Sequence, residues 1–184
     1  MAARSQPRFL WTEPFRQLGN SQVEASFADH RVYVYKGQEV DRQDHLGYDL
    51  ATTTHAPVSA SNDGVVMHAA FFGIYGNTIV IDHGHGLLTL YGHLASFAVK
   101  AGDTVKRGQV IAQSDSTGLA AGDHLHFSVI LQGVQVDARE WWDPHWIEDR
   151  IMAKVRQFAG SGEAGSAAPP SAPVVASPPR SKRR

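Results

Sequence analysis

From residue 31 onward the chain is a series of short apolar runs, with no long amphipathic stripe. The segment RVYVYK (31–36) alternates strictly, and GVVMHAA, GNTIVID, GLLTLYGHL, QVIAQ, HLHFSVIL and VQVD follow it. Asn62-Asp63-Gly64, residues 84–86, Ala101-Gly102-Asp103 and Gln132-Gly133 punctuate these runs with turn-forming residues. Many short strands separated by such turns predict an antiparallel all-β fold, a small β-sandwich or barrel-like core. A helical pattern enters only near the end: Ile147, Ile151, Val155 and Phe158 form one apolar stripe behind Asp143 as N-cap and Pro144 at the first helical position. Gly160 and Gly162 are expected to end that helix.

The chain therefore divides into a polar, extended lead-in (1–30) expected to pack on the domain, a β domain (31–143), a C-terminal helix (144–158) and a tail (159–184). The tail holds five of the nine prolines and few large apolar groups, so it is expected to be disordered. It carries one acid against four bases, a net charge of +3, which leaves about −4 on the body of a chain whose total is −1. A body of that sign argues against nucleic acid as a partner. The most apolar stretch, 64–81, is interrupted by His68, Asn77 and three glycines and falls short of ~20 clean apolar residues, so no membrane span is expected. The start, MAARSQPRFLWTEP, has no apolar run behind its basic residues and does not read as a signal peptide.

Cysteine is absent, which removes disulfides, thiolate nucleophiles and thiolate ligands at once. Ten histidines stand out instead. In HLHFSVIL, His124 and His126 lie two apart on a strand and share a face, while Leu125 and Phe127 point to the core. In His45-Leu46-Gly47-Tyr48-Asp49 the imidazole and carboxylate would stand ~13 Å apart on a straight strand, at ~3.3 Å per residue. A bend at Gly47, through dihedrals other residues avoid, is expected to bring them together. His93 ends the run GLLTLYGHL. Each element is common alone; together they supply one carboxylate and four imidazoles. That exceeds the three protein ligands of an open, hydrolytic zinc site.

HLGYDLA, YGHL and HLHF, in this order and with APVSASNDGVV, YGNTIVIDHGHGLLTLYGHL and VKAGDTVKRGQVIAQSDSTG around them, resemble the lysostaphin/LytM-type zinc metallopeptidases, which cut peptide bonds in peptidoglycan. The resemblance covers roughly residues 45–137. It implies a small antiparallel β fold with the site in a groove, Zn2+ as the only cofactor, and His45, Asp49 and His126 as its ligands. It implies His93 and His124 as the catalytic histidines beside the metal. Peptidoglycan stem peptides and their cross-links follow as substrate, and the cell envelope or periplasm as the place of action. The alternative is a LytM-like domain, non-catalytic or occluded, that binds and activates another wall hydrolase as its envelope partner. All five motif positions are present, which favours the enzyme.

Some relatives carry a tyrosine shortly before the HxxxD. Here QEVDRQD stands there and the nearest earlier tyrosines are Tyr33 and Tyr35, so no such role is assigned. Asp123, directly before His124, has two readings, orienting an imidazole or facing solvent, and the second is preferred. His83-Gly84-His85 is read as a turn, with His83 a hydrogen-bonding structural residue and His85 exposed. Trp141, Trp142 and Trp146 are expected to anchor the C-terminal helix on the sheet. The hairpin AVKAGDTVKRGQVIAQ resembles those of lipoyl and biotinyl carriers, but neither Lys100 nor Lys106 sits in the required turn.

Overall fold

The computed structural model describes residues 4–161. Thirteen strands are present among them: β1 Gln22–Ala25, β2 His30–Tyr35, β3 Gln38–Asp44, β4 Tyr48–Ala51, β5 Pro57–Ser59, β6 Gly64–Phe71, β7 Asn77–Asp82, β8 Leu87–Gly92, β9 Leu94–Phe97, β10 Thr104–Val105, β11 Val110–Ser114, β12 Leu125–Leu131 and β13 Val134–Val136. The main sheet runs β1-β4-β12-β8-β7-β6-β10, with β13 added to β12. A second sheet is β5-β11-β9, and β2 and β3 form a separate hairpin. All the pairings are antiparallel. The main sheet ends at β1 and β10 without joining them, so the all-β expectation holds with an open sheet and no closed barrel.

Strand alternation gives the main sheet two different faces. Leu50, Ile79, Ile81, Tyr91, Leu125, Phe127 and Val129 point to one side and form the core with Val58 and Ile111 of the second sheet. The opposite face carries a smaller apolar cluster, Val80, Leu88 and Leu90, with Tyr75 and Ile130 against it. At one end of that face the apolar residues give way to Asp49, Gly92 and His126, placed side by side because His126 registers with Asp49 on β4 and with Gly92 on β8. Leu125 and Phe127, buried on the core side, lock this register, since a slip of one residue would exchange the two faces.

The lead-in packs on the domain, as expected, and contributes to its core. Trp11 and Phe15 are buried in the core beside Trp141, and β1 pairs with β4. The folded unit therefore reaches back well before residue 31, because the core side of the sheet needs an aromatic cover that the strands do not supply. The C-terminal region also differs from a single helix. α1 (Ala138–Trp142) is capped by Asp137, and α2 (Pro144–Ile147) by Asp143 with Pro144 at its start, as expected. A π-helical turn (Glu148–Met152) and α3 (Ala153–Ser161) follow directly. Gly160 lies inside α3, and Val155 and Phe158 are exposed, so only the Ile147–Ile151 half of the stripe packs on the core. The tryptophans anchor these helices: Trp141 against Trp11 and Phe15, Trp142 against Tyr48 and Phe127, Trp146 against Trp141. Of the expected tail, residues 162–184 lie outside the described residues.

Candidate metal centre

Asp49 sits in β4, and His45 in the short segment that joins β3 to it. The chain bends at Gly47, as expected, but for a different reason. Gly47 has no left-handed dihedral; a Cβ there would stand 2.6 Å from His126 Nε2, from the Phe127 carbonyl and from Ser128 Oγ. Glycine is needed so that the β3–β4 connection can lie directly on β12. The result is a nearly equilateral triangle. Asp49 Oδ1 is 3.0 Å from His45 Nε2 and 3.0 Å from His126 Nδ1, and the two nitrogens are 3.1 Å apart. All three side chains are buried.

Each imidazole is turned by an acceptor outside the triangle. His45 Nδ1 lies 2.9 Å from the Ser26 carbonyl, which can only accept, so Nδ1 carries the proton and Nε2 presents its lone pair inward. Ser128 Oγ donates to the Leu46 carbonyl and thus accepts from His126 Nε2 at 2.9 Å, leaving His126 Nδ1 free of a proton. Two imidazole lone pairs and a carboxylate oxygen then face one another with no hydrogen between the nitrogens. This donor set fits a cation. Ligands ~2.0–2.1 Å from a tetrahedral zinc stand about 3.3 Å apart, close to the spacing here. Second hydrogen bonds from metal-binding imidazoles to outer acceptors serve the same purpose in metal sites generally.

Burial works against the charged form of Asp49, but the His124, His126 and His45 imidazoles around it and the Arg31 guanidinium outweigh this and hold the carboxyl far below the usual carboxylate range. Burial pushes His126 down, toward the neutral state that a ligand requires.

His93 and His124 converge on the same place. Tyr91 points to the core, so strict alternation would send His93 there too. The backbone at His93 instead takes φ of 61°, in the left-handed region, and its N–H donates to the Tyr75 carbonyl at 2.7 Å. This brings its ring to 4.7 Å from that of His124 and 6.0 Å from that of His126. His93 Nδ1 donates to the Thr117 carbonyl at 2.7 Å, and burial lowers its pKa to about 4. The Thr117 loop is clasped to the turn before β7 by two glycines: a Cβ on Gly118 would lie 2.3 Å from Gly76 N. His124 Nε2 lies 3.5 Å from Asp49 Oδ1, and its Nδ1 donates to the Gly122 carbonyl. Burial opposes its charged form, yet the bond to Asp49 outweighs this and the pKa is raised.

The site opens into a cleft of about 110 Å³, walled by Arg31, Tyr33 and Gln43 of the β2–β3 hairpin on one side and by Ile74, Tyr75 and Leu119 on the other. Tyr33, with no assigned role in the sequence, thus borders the cleft, although 12 positions separate it from His45. Arg31 was not singled out at all; its Nη2 donates to Asp49 Oδ2 at 2.5 Å. Its only sequence signal is the alternation of RVYVYK, which puts Arg31 and Tyr33 on one face. Asp123 is not simply solvent-facing: its carboxylate accepts the backbone N–H of His55 at 2.7 Å. His83 is structural, as expected, and His85 is exposed.

A carboxylate and two imidazoles at one end of an open β-sheet face, with His93 in the cleft wall and His124 beside it, define a class: a β-fold protein with a three-ligand candidate metal centre. The comparisons with known proteins narrow it. The model of peptidase family M23 matches residues 43–138, and the chain belongs to that family. It is 39% identical over 117 residues to the peptidoglycan DD-endopeptidase ShyB of Vibrio cholerae, covering 64% of this chain and 27% of that protein. It is 41% identical over 93 residues to the DD-carboxypeptidase/endopeptidase Mpg of Neisseria meningitidis, covering 50% and 21%. The chain spans about a quarter of the length of these relatives. Among solved structures, a zinc containing peptidase from Vibrio cholerae superposes with a TM-score of 0.58 at 36% identity, over 72% of this chain and 40% of that one.

Proposed function

We propose that this protein is a zinc metalloendopeptidase that hydrolyses peptide cross-links of bacterial peptidoglycan, at bonds between D-configured residues, and acts in the cell envelope. The triangle of His45 Nε2, Asp49 Oδ1 and His126 Nδ1, with both nitrogens stripped of protons by outer acceptors, carries the reading. The names of the M23 relatives support the choice of bond.

His45, Asp49 and His126 hold the zinc. When bound, the ion supplies Lewis acidity, which polarises a peptide carbonyl and lets water lose a proton near neutral pH. His93 and His124 do the proton work beside it. With Nδ1–H of each committed to a backbone carbonyl, Nε2 is the atom that exchanges protons. One imidazole takes the proton of the attacking water as the oxygen adds to the carbonyl carbon. An imidazolium returns a proton to the amine nitrogen as the C–N bond breaks, and steadies the oxyanion before that. The buried sheet face behind Asp49 and His126 limits water to the cleft side.

The test is incubation of zinc-loaded protein with intact sacculi, followed by mass spectrometry of the muropeptides. Cross-linked dimers should convert to monomers, and the products name the bond. Sacculi left unchanged by protein with a full complement of zinc would overturn the assignment.

A further inference from the structure

Arg31 stands where the proposed reaction needs a recognition group. It is the only lysine or arginine among the described residues lining the cleft, and about a third of its side chain is exposed. The other charged wall residue, Asp44, is paired with His30. Arg31 comes from β2, opposite Gln43 on β3, so the hairpin that leads into His45 also carries this guanidinium to the site. Its Nη2 is anchored on Asp49 Oδ2, while Asp49 Oδ1 faces the imidazoles. A guanidinium has five N–H donors in a rigid fork, so the group can hold Asp49 through one nitrogen and still present donors to a second carboxylate. Anchoring fixes its orientation in advance, so less freedom is lost when that second acceptor binds.

The substrate chemistry supplies such an acceptor. In a bond between two D-centres, the residue that gives the amine carries its own carboxyl group next to the scissile nitrogen. At a terminal D-residue, or at the D-centre of meso-diaminopimelate in a cross-link, that carboxyl is free. In a glycine bridge it is consumed by the next peptide bond. We propose that Arg31 binds this α-carboxylate on the amine side of the scissile bond, so that the site takes cross-links in which it is free and rejects those in which it is amidated or extended. The proposal rests on the reading of the site as a zinc peptidase.

The test uses two synthetic cross-link peptides, D-alanyl-meso-diaminopimelate with its D-centre carboxylate free and the same compound amidated there. Zinc-saturated wild type, Arg31→Lys and Arg31→Met are compared by kcat, KM and zinc stoichiometry. A charge-assisted hydrogen bond lost from a desolvated site corresponds to about 10- to 100-fold. Wild type should prefer the free acid by that factor, mostly through KM. Arg31→Met should lose the preference by slowing about 10- to 100-fold more on the acid than on the amide, and Arg31→Lys should keep part of the preference, with one zinc per chain retained in both at saturating zinc. Equal rates of wild type on the two compounds, or an equal loss on both in Arg31→Met, would overturn the proposal. Loss of zinc from Arg31→Met would also overturn it, since Arg31 would then serve Asp49 alone. Wild type that holds zinc but cleaves neither compound would instead overturn the peptidase reading on which the proposal stands.

Discussion

The chain carries two His-x-His segments, and the fold uses them in opposite ways. His83, just after β7, and His126, in β12, are both buried. His83 is enclosed in the core against Phe15, and both its ring nitrogens are satisfied by fixed partners: the Asp63 carbonyl at 2.7 Å and Thr89 Oγ1 at 2.8 Å. His126 spends only Nε2 on a fixed partner, Ser128, and turns Nδ1 toward Asp49 and His45. Burial therefore does not separate a structural histidine from a ligand. What separates them is whether the second nitrogen has a hydrogen-bond partner of its own or turns its lone pair toward the lone pairs of other donors.

The largest effect that would test this contrast is at His126. His126→Ala should abolish tight zinc binding, measured by competition with a chromophoric chelator, while circular dichroism shows the fold retained; an undiminished zinc content would remove it from the ligand set. His93→Ala and His124→Ala should keep one zinc per chain but lower kcat/KM on cross-linked muropeptides by ~10²–10⁴-fold, the range for a lost acid–base group. Activity within a few-fold of wild type in either variant would exclude that residue from proton transfer.

His83 should answer in stability alone. His83→Ala takes a partner from the Asp63 carbonyl and leaves the Thr89 hydroxyl with Tyr91 alone, and it opens a void, so it should cost about 2–4 kcal/mol in denaturant unfolding with the zinc stoichiometry intact. Burial lowers the His83 pKa to about 4, below the ordinary value of 6.5. The unfolded chain therefore takes up a proton at pH values where folded His83 refuses it. Stability falls as the pH drops from about 6.5 to about 4 and stops falling from this source below that, by about 3 kcal/mol in total. Denaturant unfolding of wild type and His83→Gln across that window should show the smaller loss in the variant; parallel losses would mean that His83 is not the group responsible. The smallest change is at Ser128. Ser128→Ala removes the acceptor that fixes His126 and should weaken zinc binding about tenfold, as outer partners of metal-binding imidazoles do.

How much of this was legible in the sequence varies with the range of the interaction involved. The strands with strong alternation, such as β2 and β12, were read within a residue or two, because their pattern is set by the two faces of a pleated sheet. Short or polar strands escaped: β1, β3, β5 and β10 form because neighbours offer unpaired edges, which no local pattern announces. The bend at Gly47 was expected, but its cause was not, since the lack of room for a Cβ comes from β12, some 80 residues later. Arg31 and Tyr33 reach the site on a hairpin, and the positive φ that redirects His93 is held by Tyr75 from another loop. Such contacts leave no mark on the local sequence.

The sequence by itself determined the all-β class, the family resemblance and the five residues that gather at the sheet's open end, because ligand chemistry admits few residue types; alternation accounts for His124 and His126 sharing a face, whereas His45 and His93 arrive by a bend and a left-handed turn. Only the tertiary structure decided which nitrogen of each imidazole points inward, which histidine is sealed into the core and which arginine stands over the cleft. The reason is physical: an imidazole's tautomer and orientation are fixed by the acceptor behind it, and at His45, His93 and His126 that acceptor or the facing donor comes from a distant part of the chain.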